Sequence, residues 1–157
     1  MKEKIKIYGI SILIPLAIGG LAAFLTRGNM DIYQEIANPP LSPPAILFPI
    51  VWTILYILMG ISAAMICSSP ALAFKKQSAM FSYGASLFFN FFWSIIFFNL
   101  RLYLFAFAWL LVLLFFIIRT IMKYYRIKPL AAYLQIPYAI WVAFAGYLNL
   151  GIWLLNK

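Results

Sequence analysis

The sequence predicts an all-α fold: an integral membrane bundle of five transmembrane helices. Three observations carry the prediction. Hydrophobic types make up 66% of the 157 residues and charged types only 10%, against roughly 45–50% and about 25% in a soluble domain. Five apolar stretches reach the roughly 20 residues a helix needs to cross the hydrocarbon. Within them there is no Asp, Glu or Lys, and the one Arg, Arg119, falls in the last turn of the fourth. A charge at mid-bilayer costs at least about 2.5–3.5 kcal/mol, so its absence is the mark of a span. The runs do not alternate apolar with polar, which excludes a transmembrane β-barrel. The same arithmetic excludes a soluble enzyme, a nucleic-acid-binding module and a disordered chain.

The spans fall at about 7–25, 45–67, 78–98, 102–122 and 131–155 in one domain, residues 1–157. The first has a basic start at Lys2, Lys4 and Lys6. Its apolar run exceeds the usual 7–15 residues or so of a signal peptide and no small-x-small site follows, so it is read as retained. Residues 99–101 leave room only for a hairpin, so the third and fourth spans are antiparallel neighbours. The basic residues set the orientation. With the N-terminus inside, the inner segments carry nine of the twelve (Lys2, Lys4, Lys6, Lys75, Lys76, Arg119, Lys123, Arg126, Lys128) and the outer ones three (Arg27, Arg101, Lys157). The positive-inside rule then places the N-terminus inside and the C-terminus outside. The net charge of +9 is an orientation signal, not a nucleic-acid footprint. Five spans with unequal loops lack the paired halves of an inverted-repeat transporter.

One separator is long, residues 27–44. Asp31–Ala37 is spaced for a short helix. Four prolines then follow within six residues, Pro39, Pro40, Pro43 and Pro44, and proline restricts both itself and the residue before it, so the stretch is stiff. Ser42 is placed to cap the second helix, with Pro43 at its first position. The segment reads either as a rigid connector or as a lid over the bundle mouth, and its length favours the lid.

Several spans carry chemistry on one face. Trp52 and Tyr56 are four apart. Asn90, Trp93 and Ser94 share a face. An amide at mid-span needs a partner, and Asn90 fits either an interhelical bond or a pocket contact. Trp141, Ala145 and Asn149 form a stripe at four-residue spacing, which Tyr138 joins. Pro137 kinks its helix near the inner end. Ser78, Ser82 and Ser86 recur every four residues, the small-xxx-small spacing of close helix contact, either a homodimer seam or a contact within the chain.

With no histidine and a single cysteine, Cys67, His-ligated metal, His general-base catalysis and an intrachain disulfide are all excluded. No metal site is expected and no obligatory cofactor. No intramembrane acid offers a proton relay. What remains is a set of rings and amides facing inward from three helices, suited to a large, flat, mostly apolar ligand or to packing alone.

Three ordered motifs run the length of the chain: Asn38-Pro39-Pro40-Leu41-Ser42-Pro43-Pro44 leading to Trp52; Asn90-x-x-Trp93-Ser94-x-x-Phe97-Phe98; and Pro137-Tyr138-x-x-Trp141-x-x-Phe144-Ala145-x-x-Leu148-Asn149-x-x-Ile152-Trp153-x-Leu155-Asn156. With the five-span layout they resemble the translocator protein family, the TspO or tryptophan-rich sensory proteins once called peripheral benzodiazepine receptors. The resemblance implies a five-helix bundle, commonly a homodimer, with a pocket closed by the first loop. It implies a tetrapyrrole or other lipophilic small molecule as partner, protoporphyrin IX above all. It also implies a pocket lined by Tyr33, Pro43, Trp52, Tyr56, Asn90, Trp93, Trp141 and Ala145, with Trp109 and Leu110 closing its side. The stripe on the fifth span adds Asn149. Some bacterial members promote light-dependent porphyrin breakdown, and the resemblance assigns that photochemical, catalytic role here to Trp52 and Trp141. The expected location is a prokaryotic cell membrane. Leu41 departs from the family, where a Trp is common two residues before the second Pro-Pro. No basic residue follows Tyr147 within five positions, so a sterol motif is absent there. Two other readings stand beside receptor and photochemical turnover: a carrier of porphyrins, sterols or other lipophiles, and a structural partner of other membrane proteins.

Overall fold

The computed structural model describes all 157 residues and is all-α. The helices are α1 (Lys2–Thr26), a single turn α2 (Ile32–Glu35), α3 (Leu47–Cys67), α4 (Ala73–Ser94), α5 (Tyr103–Ile127) and α6 (Pro129–Asn156). A π-helical turn, Ile95–Asn99, continues α4. Five segments are long and apolar enough to cross a membrane, α4 counting with its π turn. They overrun the predicted apolar stretches at the ends that carry Lys75, Lys76, Lys123 and Arg126, because a helix persists into the polar interface beyond the hydrocarbon.

The helices pack as a closed ring in the order α1, α3, α6, α5, α4 and back to α1. α4 and α5 are antiparallel neighbours, as their short connection requires. The core lies between α3, α4, α5 and α6, around Met59, Ile66, Leu113, Ile117 and Tyr138, each 0–1% exposed. α1 contributes little to it, burying only Pro15, Ala22 and Thr26. It is held against α3 at Gly60, where an added Cβ would strike the backbone of Ile12 and stand 2.7 Å from the Ser11 carbonyl. Small residues there exchange side-chain bulk for close backbone approach.

One expectation is corrected. Ser42 does not cap the second membrane helix. Its hydroxyl donates to the Pro39 carbonyl at 2.7 Å, and α3 begins only at Leu47. Pro43 and Pro44 hold the preceding residues extended, so the first turns form after them, from Pro44 and Ala45 to Leu47 and Phe48. Of the two readings of the serine stripe, a contact within the chain is seen at Ser82 and Ser86, while Ser78 is exposed. Ser82 and Ser86 are 1% exposed within the single chain, and Lys123 Nζ of α5 donates to Ser78 Oγ at 2.8 Å and Ser82 Oγ at 3.0 Å. Ser78 and Ser82 thus meet α5, while the Ser86 carbonyl accepts from the Tyr138 hydroxyl of α6 at 3.5 Å.

The π turn changes what the α4 end presents. Leu100 N–H bonds back to the Ile95 carbonyl at 3.1 Å, and Arg101 takes a left-handed φ of 55° to reverse the chain. Such turns are frequent at functional sites, and here the turn borders the cavity described next.

Candidate functional site

A cavity of about 380 Å3 lies at the loop end of the bundle, bounded by α1, α3, α6, the end of α4 and the 27–44 loop. Its volume falls within the roughly 300–1,000 Å3 of small-molecule sites. The floor and walls come from helical faces that the sequence marks. On α3, Phe48, Trp52 and Tyr56 follow at four-residue spacing, and the Trp52 and Tyr56 rings stack at 5.5 Å. On α6, Trp141, Ala145, Asn149 and Ile152 form the facing stripe. Phe48 and Trp141 join the two walls edge to face at 5.8 Å. Trp93 lines the third side, its indole N–H donating to Asn149 Oδ1 at 3.0 Å, while Asn149 Nδ2 donates to the Tyr103 carbonyl at 2.7 Å. Asn149 therefore spends its amide holding Trp93 and the start of α5.

The loop covers the cavity and is fastened on both sides. Tyr33, on α2, donates its hydroxyl to the Pro43 carbonyl at 2.8 Å and packs edge to face on Phe48 at 5.0 Å. Burial pushes the Tyr33 phenol above its ordinary pKa, with the Ser42 hydroxyl pulling the other way. Asn38 Nδ2 closes the loop on itself through the Tyr33 and Ile36 carbonyls. From α6, Asn156 clamps Ala37 at both its N–H and its carbonyl, 3.1 and 2.8 Å, and the Tyr147 hydroxyl donates to the Pro40 carbonyl. On the other side, Asn29 of the loop pairs side chain to side chain with Asn99 of the π turn at 2.9 Å.

Of the residues singled out from sequence, the structure brings Tyr33, Trp52, Tyr56, Trp93, Trp141, Ala145 and Asn149 to the cavity wall. It places four elsewhere. Pro43 contributes its carbonyl to Tyr33 and stands outside the lining. Asn90 is 2% exposed and is turned toward the hydroxyls of Tyr56 and Tyr138, behind the wall, with its Nδ2 unpartnered. Leu110 is 1% exposed in the α5–α6 core beneath Gly146. Trp109 sits among Phe88, Phe89 and Phe105 and donates to the Phe89 carbonyl at 2.7 Å, on the α4–α5 seam. Sequence reading missed Phe48, Phe97 and Gly19. Phe48 was available as the position four before Trp52; Gly19, where a Cβ would meet the Tyr56 ring, reads from sequence only as a small residue.

Two features bear on what the cavity can hold. The Trp141 indole N–H is buried and has no partner, a donor held ready for an acceptor. Asp31, at the loop, is the only acid in the lining, and no Lys or Arg lines it. Cavity-lining Gly20, Ala23, Pro49 and Thr53 are themselves exposed, so the wall between α1 and α3 is open toward the side where lipid would stand.

Residues 11–154 match the TspO/MBR family. The chain belongs to that family. It is 31% identical to the tryptophan-rich protein TspO of Chlorobaculum tepidum over 99% of both chains. It is 33% identical to the tryptophan-rich sensory protein of Cereibacter sphaeroides over 79% of this chain and 76% of the relative. It is also 33% identical to the translocator protein of Bos taurus over 92% of this chain and 87% of the relative. With its five long apolar helices, this TspO/MBR chain is an integral membrane protein.

Proposed function

We propose that this TspO/MBR protein is a membrane receptor that binds protoporphyrin IX and related tetrapyrroles in the cavity beneath the 27–44 loop. The observation that carries the reading is the aromatic lining of the cavity, Phe48, Trp52 and Tyr56 on α3 and Trp141 on α6, together with the partnerless Trp141 N–H. Aromatic side chains lining one cavity suit a flat conjugated ring by burial and stacking. With no cation in the lining, the macrocycle's carboxylates stay at the watery edge of the loop, because a buried carboxylate without a partner is costly. Trp52 and Trp141 both line the cavity. One-electron donation from either to the photoexcited macrocycle gives an indole radical cation and a ring radical anion, the first step toward light-dependent breakdown.

A second reading, exchange of lipophiles with the bilayer, is favoured by the open wall between α1 and α3. The residues there are small or kinked, and a ligand crossing them need not displace the loop. A porphyrin titration in lipid nanodiscs tests the receptor reading: tryptophan emission should fall saturably at one ligand per chain. Emission that falls only linearly, as by unspecific partition into lipid, would refute it.

A further inference from the structure

At the end opposite the loop, the α3–α4 turn and the last turn of α5 enclose a second cleft, of about 300 Å3, lined by Ser69, Leu72, Lys75, Arg126 and Ile127 among others. Both cations are exposed, and neither makes a hydrogen bond to the protein, whereas their neighbours are committed: Lys76 Nζ to the Cys67 and Ser69 carbonyls, Lys123 to Ser78 and Ser82. Neither cation forms an ion pair: Asp31 and Glu35 lie at the other end, and Glu3, the third acid of the chain, lies in the first turn of α1, a helix that packs on α3 and α4. Leu72, 60% exposed, borders the cleft on its apolar side. The site thus pairs two free cations with an apolar edge at the depth where a membrane helix leaves the hydrocarbon.

We propose that this cleft binds the phosphate headgroup of an anionic phospholipid, with Lys75 and Arg126 on the phosphate and Leu72 and Ile127 against the first carbons of an acyl chain. Basic pockets between membrane helices on the cytoplasmic side favour anionic headgroups, and a cation at such a surface is worth about fivefold in affinity. The wider basic end, with Lys76, Lys123, Arg119 and Lys128 nearby, raises the local anion concentration, while the cleft supplies the geometry. A free phosphate shares the charge and lacks the chain, so the apolar edge commits the site to the lipid.

The test is native mass spectrometry of the full-length protein from detergent, with equimolar phosphatidylglycerol and phosphatidylcholine added. Wild type should retain phosphatidylglycerol over phosphatidylcholine by roughly tenfold or more. Lys75→Gln with Arg126→Gln should lose most of that preference. Lys75→Arg with Arg126→Lys should keep it, which guards against loss through misfolding. Lys2→Gln with Lys4→Gln removes the same charge from α1 and should also keep it. Equal loss in the α1 and cleft variants would reduce the effect to the general field and overturn the site. Displacement of the lipid by equimolar inorganic phosphate would overturn the lipid as its ligand.

Discussion

Trp93 and Asn149 meet across the bundle: the indole N–H of one donates to the Oδ1 of the other at 3.0 Å. Through the second Asn149 bond, to the Tyr103 carbonyl, one amide joins α4, α5 and α6 at the level of the cavity. Asn149→Leu leaves the Trp93 indole N–H without a partner in an apolar surround and removes the side-chain bond to the Tyr103 carbonyl. Bonds of this kind in membrane bundles contribute about 0.6 to 2 kcal/mol each. The variant should lose about 1–3 kcal/mol of stability, unfold at lower temperature and bind porphyrin several-fold more weakly. Thermal unfolding followed by tryptophan emission in detergent checks the first, and titration the second; an unchanged midpoint would remove Asn149 as a tie.

The loop is latched from α6. Asn156→Ala with Tyr147→Phe removes three hydrogen bonds to Ala37 and Pro40 and touches no cavity-lining residue. Amide exchange over residues 29–42 should rise by an order of magnitude or so, each lost bond contributing about 0.5–1.5 kcal/mol to closure, while α5 exchange stays constant. Ligand release should quicken in the same variant. Exchange in the loop that matches wild type would show that the prolines alone hold it.

Glycines separate close contact from free space. A Cβ on Gly151 would stand 2.7 Å from the Pro39 ring, and one on Gly60 would strike the α1 backbone, whereas Gly20 has nothing within 4 Å. Gly60→Ala should cost about 1–3 kcal/mol, because backbone cannot yield as a side chain can. Gly151→Ala should loosen the loop with a smaller loss, and Gly20→Ala should change neither. Thermal midpoints of the three variants check the order; equal effects at Gly20 and Gly60 would contradict the α1–α3 packing.

Much of this layout is legible in the sequence, and the reason differs by feature. The spans read clearly because uninterrupted apolar runs have one stable solution in a bilayer. Trp52 with Tyr56, and Trp141 with Ala145 and Asn149, read as faces because the helical period is local. Which face meets which neighbour is not local. The ring order α1, α3, α6, α5, α4 decides that Ser82 faces α5 and that Asn90 turns behind the wall toward Tyr138. Phe97 and Phe98, in the π turn Ile95–Asn99, line the cavity four residues beyond Trp93 and Ser94. Leu110 and Trp109 lie on the α5 faces that the core and the Phe89 carbonyl claim first. The start of α3 slipped from Ala45 to Leu47 because capping chemistry at Ser42 lost to proline geometry.

Ser82 separates the two readings of the serine stripe. Ser82→Leu puts a branched side chain into a position 1% exposed against α5 and Lys123. Overpacking there should cost about 1–3 kcal/mol of monomer stability. Lowered stability at unchanged oligomeric state, measured by thermal unfolding and by light scattering in the same detergent, fits the intrachain contact. A dissociating assembly of otherwise stable protein would restore the stripe as a seam.

The central claim is that the cavity of Trp52 and Trp141 holds the tetrapyrrole. Its most direct test is a protoporphyrin IX titration of wild type and of Trp52→Phe with Trp141→Phe, in nanodiscs, in the dark and under illumination. The prediction is saturable binding by wild type with loss of porphyrin absorbance in the light, and at least several-fold weaker binding with little light-dependent loss in the double variant. A double variant that binds and bleaches porphyrin as wild type does would contradict the account.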